Sequence, residues 1–324
     1  MAGKKRSDPF DKALKLADAM PAWEELSALQ RGAEAALSKR LFFICGALKS
    51  GTTWLQLMLD GHPRIACRGE GHLLNFLLPE LGKALQQYNE RIKFKNKAIF
   101  NEIEGFPQFG QAQHYALLRT AIGLLFAQYD REQAQLIGEK TPDNVLYLPM
   151  LARLLPEARF IHVIRDGRDA AVSGWFHNLR VSEEWANKEF GSFAAFAEHY
   201  AEVWAINIRA GRRFGALNPE RYCEVRYEDM LADSSRAMDA VLKFLDATRE
   251  APEVEKCVQA GNFRHLTKGR TAGTENRESH FRKGVQGDWR QHFDELVHAK
   301  FQRHSGGLLE ELGYDVPFED GGEV

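Results

Sequence analysis

Along residues 41–59 the chain changes period. Leu41, Phe42, Phe43, Ile44 and Cys45 form an unbroken apolar run, the pattern of a strand covered on both faces. From Trp54 onward the apolar positions (Trp54, Leu55, Leu57, Met58, Leu59) fit a helix. Between them lies a glycine-bounded turn, Gly46-Ala47-Leu48-Lys49-Ser50-Gly51. The alternation recurs downstream. Strand patterns cover 65–67, 136–138 and 160–164, and one over 221–226 runs into a polar turn at 227–230. Helical patterns cover 146–155, 170–173, 193–214, the stretch holding Met238, Val241, Leu242, Phe244 and Leu245, and 293–312. Strands alternating with helices predict an α/β protein of three layers, with a central parallel sheet flanked by helices.

The remaining stretches set the domain plan. Residues 8–38 read as helical, with a break at Pro21, so 1–40 is expected to form a helical extension. One domain should occupy 41–318, followed by a short tail over 319–324. Within it, 73–135 reads as a helical insertion with a polar, basic middle. Residues 261–288 lose all periodicity and carry Arg264, His265, Lys268, Arg270, Arg277, His280, Arg282 and Lys283 among glycines. A stretch this long without pattern is either a functional lid, which its charge would suit over an anion, or a mobile solvated loop.

Composition narrows the class. A net charge of -2 argues against a whole-protein nucleic-acid binder while leaving room for a local basic pocket. The four cysteines, Cys45, Cys67, Cys223 and Cys257, have neither CxxC spacing nor a disulfide framework, which suits reduced thiols. The start, MAGKKRSDPF, is basic but is followed by no apolar core of a signal peptide. No run approaches the ~20 apolar residues that span a bilayer. These features predict a cytoplasmic protein with neither nucleic acid nor membrane as partner.

The candidate chemistry begins at the glycine turn. Strand, glycine turn and helix together make a P-loop-like anion site, because backbone N–H groups and the positive end of the helix dipole converge there. A nucleoside triphosphatase would place lysine immediately after the second glycine; that residue is Thr52, and the lysine is Lys49, inside the turn. A second strand–loop–helix unit ends in Arg165-Asp166-Gly167-Arg168-Asp169, so cationic side chains stand at the carboxyl end of a predicted strand, where open α/β sheets bind ligands. Arg68-Gly69-Glu70-Gly71-His72 supplies a carboxylate and an imidazole on an irregular loop.

Four segments in order resemble the sulfotransferase superfamily, whose donor is 3′-phosphoadenosine 5′-phosphosulfate (PAPS). Leu48-Lys49-Ser50-Gly51-Thr52-Thr53-Trp54 is similar to its 5′-phosphosulfate loop, and the run from Val163 to Ser173 to its 3′-phosphate segment. Arg226-Tyr227-Glu228-Asp229-Met230 resembles the strand end beside the adenine, and the run from Phe281 to Trp289 the RKGxxGDW stretch of the cytosolic branch. The branch is mixed. Pro142 stands where cytosolic enzymes carry a catalytic histidine, Glu139-Lys140-Thr141-Pro142 resembles the carbohydrate enzymes, and Glu70 falls at the general base of the tyrosylprotein enzymes. The resemblance implies a PAPS-dependent transferase with Glu70 as base and Lys49 and Lys140 at the moving sulfuryl group. Lys49, Ser50, Gly51, Thr52, Thr53 and Trp54, with Arg165, Ser173, Tyr227, Arg282, Lys283 and Gly284, would hold PAPS and its product adenosine 3′,5′-bisphosphate (PAP), and no metal is required. The acceptor would be a hydroxyl on a small molecule, a sugar or a peptide tyrosine, bound on the side of 73–135 and 174–200. Two alternatives stand beside this expectation: a P-loop nucleotide kinase or NTPase, and a non-catalytic PAPS-binding protein of the same fold.

Overall fold

The computed structural model describes residues 8–100 and 104–315; the tail over 319–324 and the first seven residues of the extension lie outside them. Five strands form one sheet: β1 (Arg40–Gly46), β2 (Ile65–Gly69), β3 (Leu136–Lys140), β4 (Arg159–Ile164) and β5 (Tyr222–Arg226). Their order is β2-β3-β1-β4-β5, with every neighbouring pair parallel. From β1 the chain leaves toward β2, and from β4 it leaves the opposite way toward β5. The β1–β4 boundary is therefore the switch point of an open α/β sheet, where a crevice opens beyond the carboxyl ends.

The apolar run of β1 is explained by burial on both faces. Phe42 and Ile44 enter one core with Leu55, Met58 and Leu59, while Leu41, Phe43 and Cys45 enter another with Ile122, Phe126, Leu148 and Phe160. Phe42 and Phe43 are fully buried, each stabilising the fold by roughly 1.5–3 kcal/mol relative to exposure. Gly138 makes room for the first of them, since a Cβ there would lie 2.1 Å from the Phe42 ring. A third core, around Trp204, Trp289 and Phe301, lies under the helices Gly167–Phe190 and Phe193–Leu217.

Three elements differ from the pattern-based expectation. The polar residues after β5 form a helix, Tyr227–Ala232, rather than a turn; Glu228 and Asp229 occupy its first turn, where carboxylates favour the helix dipole. The helix expected over 170–173 begins at Gly167, capped by the Asp166 carboxylate accepting from Arg168 N, and runs to Phe190 with non-helical dihedrals at Ser182. The extension forms two helices. Trp23–Ser38 packs on Gln111–Tyr129, whereas Pro9–Asp18 buries no residue. Residues 261–288 carry only the single turn Phe263–Leu266 among irregular backbone. Among the described residues, no helix is long and apolar enough to cross a membrane.

Candidate active site

The turn after β1 is held open by its own backbone. Gly46, Lys49 and Gly51 take φ values of 152, 67 and 100°, in the region that favours glycine, and Gly46 N donates to Pro142 O (3.1 Å). Gly51 also has no room for a side chain, because a Cβ would lie 2.5 Å from the Tyr227 ring. The helix Thr52–Asp60 starts immediately after it with no side-chain cap, leaving first-turn amides for an anion. Burial, then the charges of Arg180, Arg165 and Lys140, lower the Lys49 pKa to about 8, with Glu70 opposing.

Arg165, at the end of β4, closes against this turn. Its Nη1 donates to Lys49 O (3.1 Å) and its Nη2 to Val285 O (3.2 Å), while the guanidinium lies 4.2 Å from the centre of the Tyr227 ring. The side chain is buried, yet Nε has no partner. The indole of Trp204 donates to Arg165 O (3.1 Å) and fixes the strand end. Arg168 does not join the site; it is buried in a pair with Asp166 (2.8 Å) and over the Trp289 ring (3.8 Å).

On the opposite side, Glu70 is hydrogen-bonded by Lys140, and His72 Nε2 lies 3.4 Å from its second oxygen. Burial works to raise the Glu70 pKa, but the Lys140 hydrogen bond and charge, with His72 and His280, outweigh it and hold the carboxyl below its ordinary range. The loop presenting Glu70 is fixed by buried Glu139, which accepts from Gly71 N (2.8 Å), Thr141 Oγ1 (2.6 Å) and Asn144 Nδ2 (2.7 Å). Burial raises the Glu139 pKa against these three bonds.

These pieces surround one cleft of about 650 Å³, lined by every expected site residue except Ser50 and Lys140. The Ser50 hydroxyl is buried and donates back to Ala47 O (2.6 Å), and Lys140 is buried behind Glu70. Trp54 and Tyr227 meet edge to face at 5.5 Å, with Trp54 Nε1 donating to Gly261 O (2.8 Å). Ser173 faces the cleft from the helix Gly167–Phe190. Residues 261–288 form its roof, where Gly284 takes φ 67° and a Cβ would lie 2.5 Å from Phe263. Asp169 pins the end of that roof by accepting from Gly287 N (2.6 Å) and Trp289 N (2.9 Å). Arg282 and Lys283 both pair with Asp288, and Arg282 also with Glu275 (2.6 Å), so their charge is partly met within the roof. Arg282 Nε is nevertheless buried without a partner.

The remaining wall is aromatic. Pro142, Trp185, Phe190, Phe196 and Tyr200 line it with three histidines, His177, His199 and His280, and the ring centres of His177 and His280 lie 6.3 Å apart. Burial, then Lys49, lowers the pKa of each to about 4, with Arg180 adding to both, so both rings are neutral at pH 7. Sequence reasoning missed His177, Arg180 and Asp288. His177 lies one helical turn after Ser173, so it shares that residue's face, a spacing that could have shown it. Among the described residues, none of 73–135 lines this cleft; that segment borders a separate polar hollow of about 410 Å³ that includes Gln86, Asn89, Gln108 and His114.

Cations gather around the turn: burial and the charges of Arg180, Arg165 and Lys140 depress the Lys49 pKa, and the Nε atoms of Arg165 and Arg282 are unpartnered. The donor set suits an anionic ligand spanning the turn, the β4 end and the roof. The profile of the family described as "Sulfotransferase family" matches residues 42–251. Protein-tyrosine sulfotransferase 2 of Gallus gallus is 22% identical over 205 residues, covering 63% of this chain and 50% of that protein. Sulfotransferase 1E1 of Rattus norvegicus is 25% identical over 189 residues, covering 52% and 62%. The curated relatives also include proteins of which the chain spans 29% and 66% of the length, so it covers less than two thirds of these matches. The crystal structure of mouse sulfotransferase SULT7A1 complexed with PAP shares the fold at 18% identity and a TM-score of 0.52, covering 85% of this chain and 84% of that one.

Proposed function

The chain belongs to the sulfotransferase family, and from that premise we propose that it moves the sulfuryl group of PAPS to a hydroxyl acceptor by in-line displacement. The observation that carries the reading is the contact between the two expected ends of the donor site, Arg165 Nη1 on Lys49 O at 3.1 Å. The amides of 48–53 and the hydroxyls of Thr52 and Thr53 hold the 5′-phosphosulfate. Arg165 and Ser173, with Arg282, Lys283 and the Gly284 amide from the roof, hold the 3′-phosphate, and Trp54 and Tyr227 contact the adenine.

In the transfer step the acceptor oxygen forms the new O–S bond while Glu70 takes its proton. The S–O bond to the 5′-phosphate breaks, and PAP leaves with the electron pair on its phosphate oxygen, where Lys49 and Lys140 meet the developing charge. The Lys140–Glu70 pair couples the two halves of this step. Sulfuryl oxygens drawn to Lys140 compete for its ammonium, which relieves Glu70 of the contact that depresses its pKa and makes it a better base.

The aromatic wall of Trp185, Phe190 and Phe196 favours an acceptor with a flat, apolar body, a phenol rather than a sugar, because aromatic faces pack best on such a body. The four thiols are free, and three are buried, which suits a reducing, cytoplasmic setting. Calorimetry with PAP, with Mg·ATP as the contrast, tests the donor. PAP should bind and Mg·ATP should not, and Arg165→Ala should weaken PAP by roughly 1.5–3 kcal/mol, the range for charged hydrogen bonds. Tight Mg·ATP binding with none for PAP would sink the reading, and unchanged PAP affinity in Arg165→Ala would remove that residue from the site.

A further inference from the structure

We propose that His177 donates its Nε2–H to the oxygen of an aromatic acceptor hydroxyl and turns that hydroxyl's proton toward Glu70, with Arg180 as the positioning residue that fixes the imidazole tautomer. The inference rests on the sulfuryl-transfer reading above and adds the acceptor side of the same cleft.

The argument starts from one hydrogen bond. Arg180 Nη2 lies 2.9 Å from His177 Nδ1, and a guanidinium can only donate, so Nδ1 carries the lone pair. In the neutral ring the proton then sits on Nε2. No hydrogen bond among the described residues reaches Nε2, although the ring borders the cleft together with Glu70 and Lys49. A neutral imidazole in this tautomer has no free lone pair, so it cannot take the acceptor's proton. It can hold the acceptor oxygen from one side while Glu70 accepts the proton from the other. This gives the site the imidazole that Pro142 replaces in the cytosolic pattern, but with the opposite polarity.

The surroundings hold the ring in that state. Lys49 approaches from the glycine turn, Arg180 from the ring's own helix and Glu70 from the loop after β2, while the His280 ring meets it from the roof. Burial disfavours an imidazolium, Lys49 and Arg180 add to it and only Glu70 favours one, so the ring is neutral at pH 7. Arg180 makes no ion pair with a carboxylate among the described residues, which leaves its contact with Nδ1 uncontested.

The test uses the full chain with PAPS and 2-naphthol, a flat phenol, and calorimetry with PAP on every variant. His177→Phe keeps the ring but loses the donor, and kcat/KM for 2-naphthol should fall about 10- to 100-fold while PAP affinity stays within about twofold. His177→Gln restores a side-chain N–H donor and should recover at least a third of the wild-type value. Arg180→Met removes the group that fixes the proton on Nε2, so kcat/KM for 2-naphthol should fall, though by less than in His177→Phe, and Arg180→Lys, which can still donate to Nδ1, should recover part of that loss. Equal losses in His177→Gln and His177→Phe would make His177 a base or a packing residue and overturn the inference. No loss in His177→Phe, or a parallel loss of PAP binding, would overturn it too. Wild-type protein that binds PAP but does not sulfate 2-naphthol overturns this inference alone, whereas protein that does not bind PAP removes the donor reading with it.

Discussion

Lys49 has its backbone in the left-handed region and three cations near its ammonium, Arg180, Arg165 and Lys140. Its pKa near 8, against about 10.4 for a free lysine, makes the donor-free site short of a proton in mildly alkaline solution. An anion on the turn favours the charged form and raises that pKa, so PAP binding between these values should take up a proton. PAP affinity should therefore fall as pH rises through 8. Calorimetry at pH 8.5 in buffers of different ionisation enthalpy reads the uptake, and a binding enthalpy independent of buffer would show that Lys49 is not the coupled group. Glu70 behaves in the opposite sense: Lys140 holds its carboxyl below the ordinary range, so the base role proposed for it should persist on the acid side of neutrality. Glu70→Gln should leave PAP binding nearly intact and lower turnover by about 10²–10⁴-fold. Full turnover in that variant would take the proton away from Glu70.

The roof over 261–288 is joined to the body through its backbone and through side chains, with Arg277 and Arg282 over the Phe176 ring. Asp169 accepts from Gly287 N in the roof and from Trp289 N just beyond it, and Arg165 donates to Val285 O, so the helix Gly167–Phe190 and the β4 end hold the end of the roof. Asp169→Ala should leave the Gly287 and Trp289 amides unpaired and destabilise the protein by roughly 2–5 kcal/mol, with Asp169→Asn losing less because it keeps one acceptor. Urea unfolding of both variants checks this, and equal midpoints with the wild type would mean that the roof is held elsewhere. How much could be read from sequence also divides by element. The glycine turn was legible because an apolar strand, two glycines and a helical rhythm all agree on it. The helix carrying His177 was legible only over its first residues, since beyond Ser173 polar and apolar positions no longer share one period up to the break at Ser182. Arg282 and Lys283 looked like free cations because their pairing with Asp288, a few residues away, depends on how the roof folds back. The 73–135 segment is helical as its pattern implied, but which cleft it faces is set by tertiary packing that no local period encodes.

At the scale of the whole molecule, the parallel order puts β1 and β4 side by side, and that placement brings a turn and an arginine more than a hundred residues apart into one site. The same sheet carries His162 on β4, fully buried, with Nδ1 at 2.6 Å from the Tyr222 hydroxyl and the backbone of Gly211 pressed against the ring. Burial, then Arg212, lowers its pKa to about 3. The unfolded chain takes up the proton first, near pH 6.5, while the native state refuses it until about 3. The His162 contribution is therefore whole above pH 6.5 and is lost as pH falls toward 3, at up to about 1.4 kcal/mol per pH unit. Buried Glu139 and Asp169 and half-buried Glu228 oppose it, because their raised pKa values let the native state take protons before the unfolded chain does. The total acid profile mixes both signs, so the clean measurement is a difference. His162→Gln carries a constant loss for the altered packing but no titration, and its stability should fall less steeply than the wild type's between pH 6.5 and 4 in urea unfolding. Parallel profiles across that window would mean that the imidazole is charged inside the sheet, and the account of β4 as a strand buried on both faces would need another partner for it.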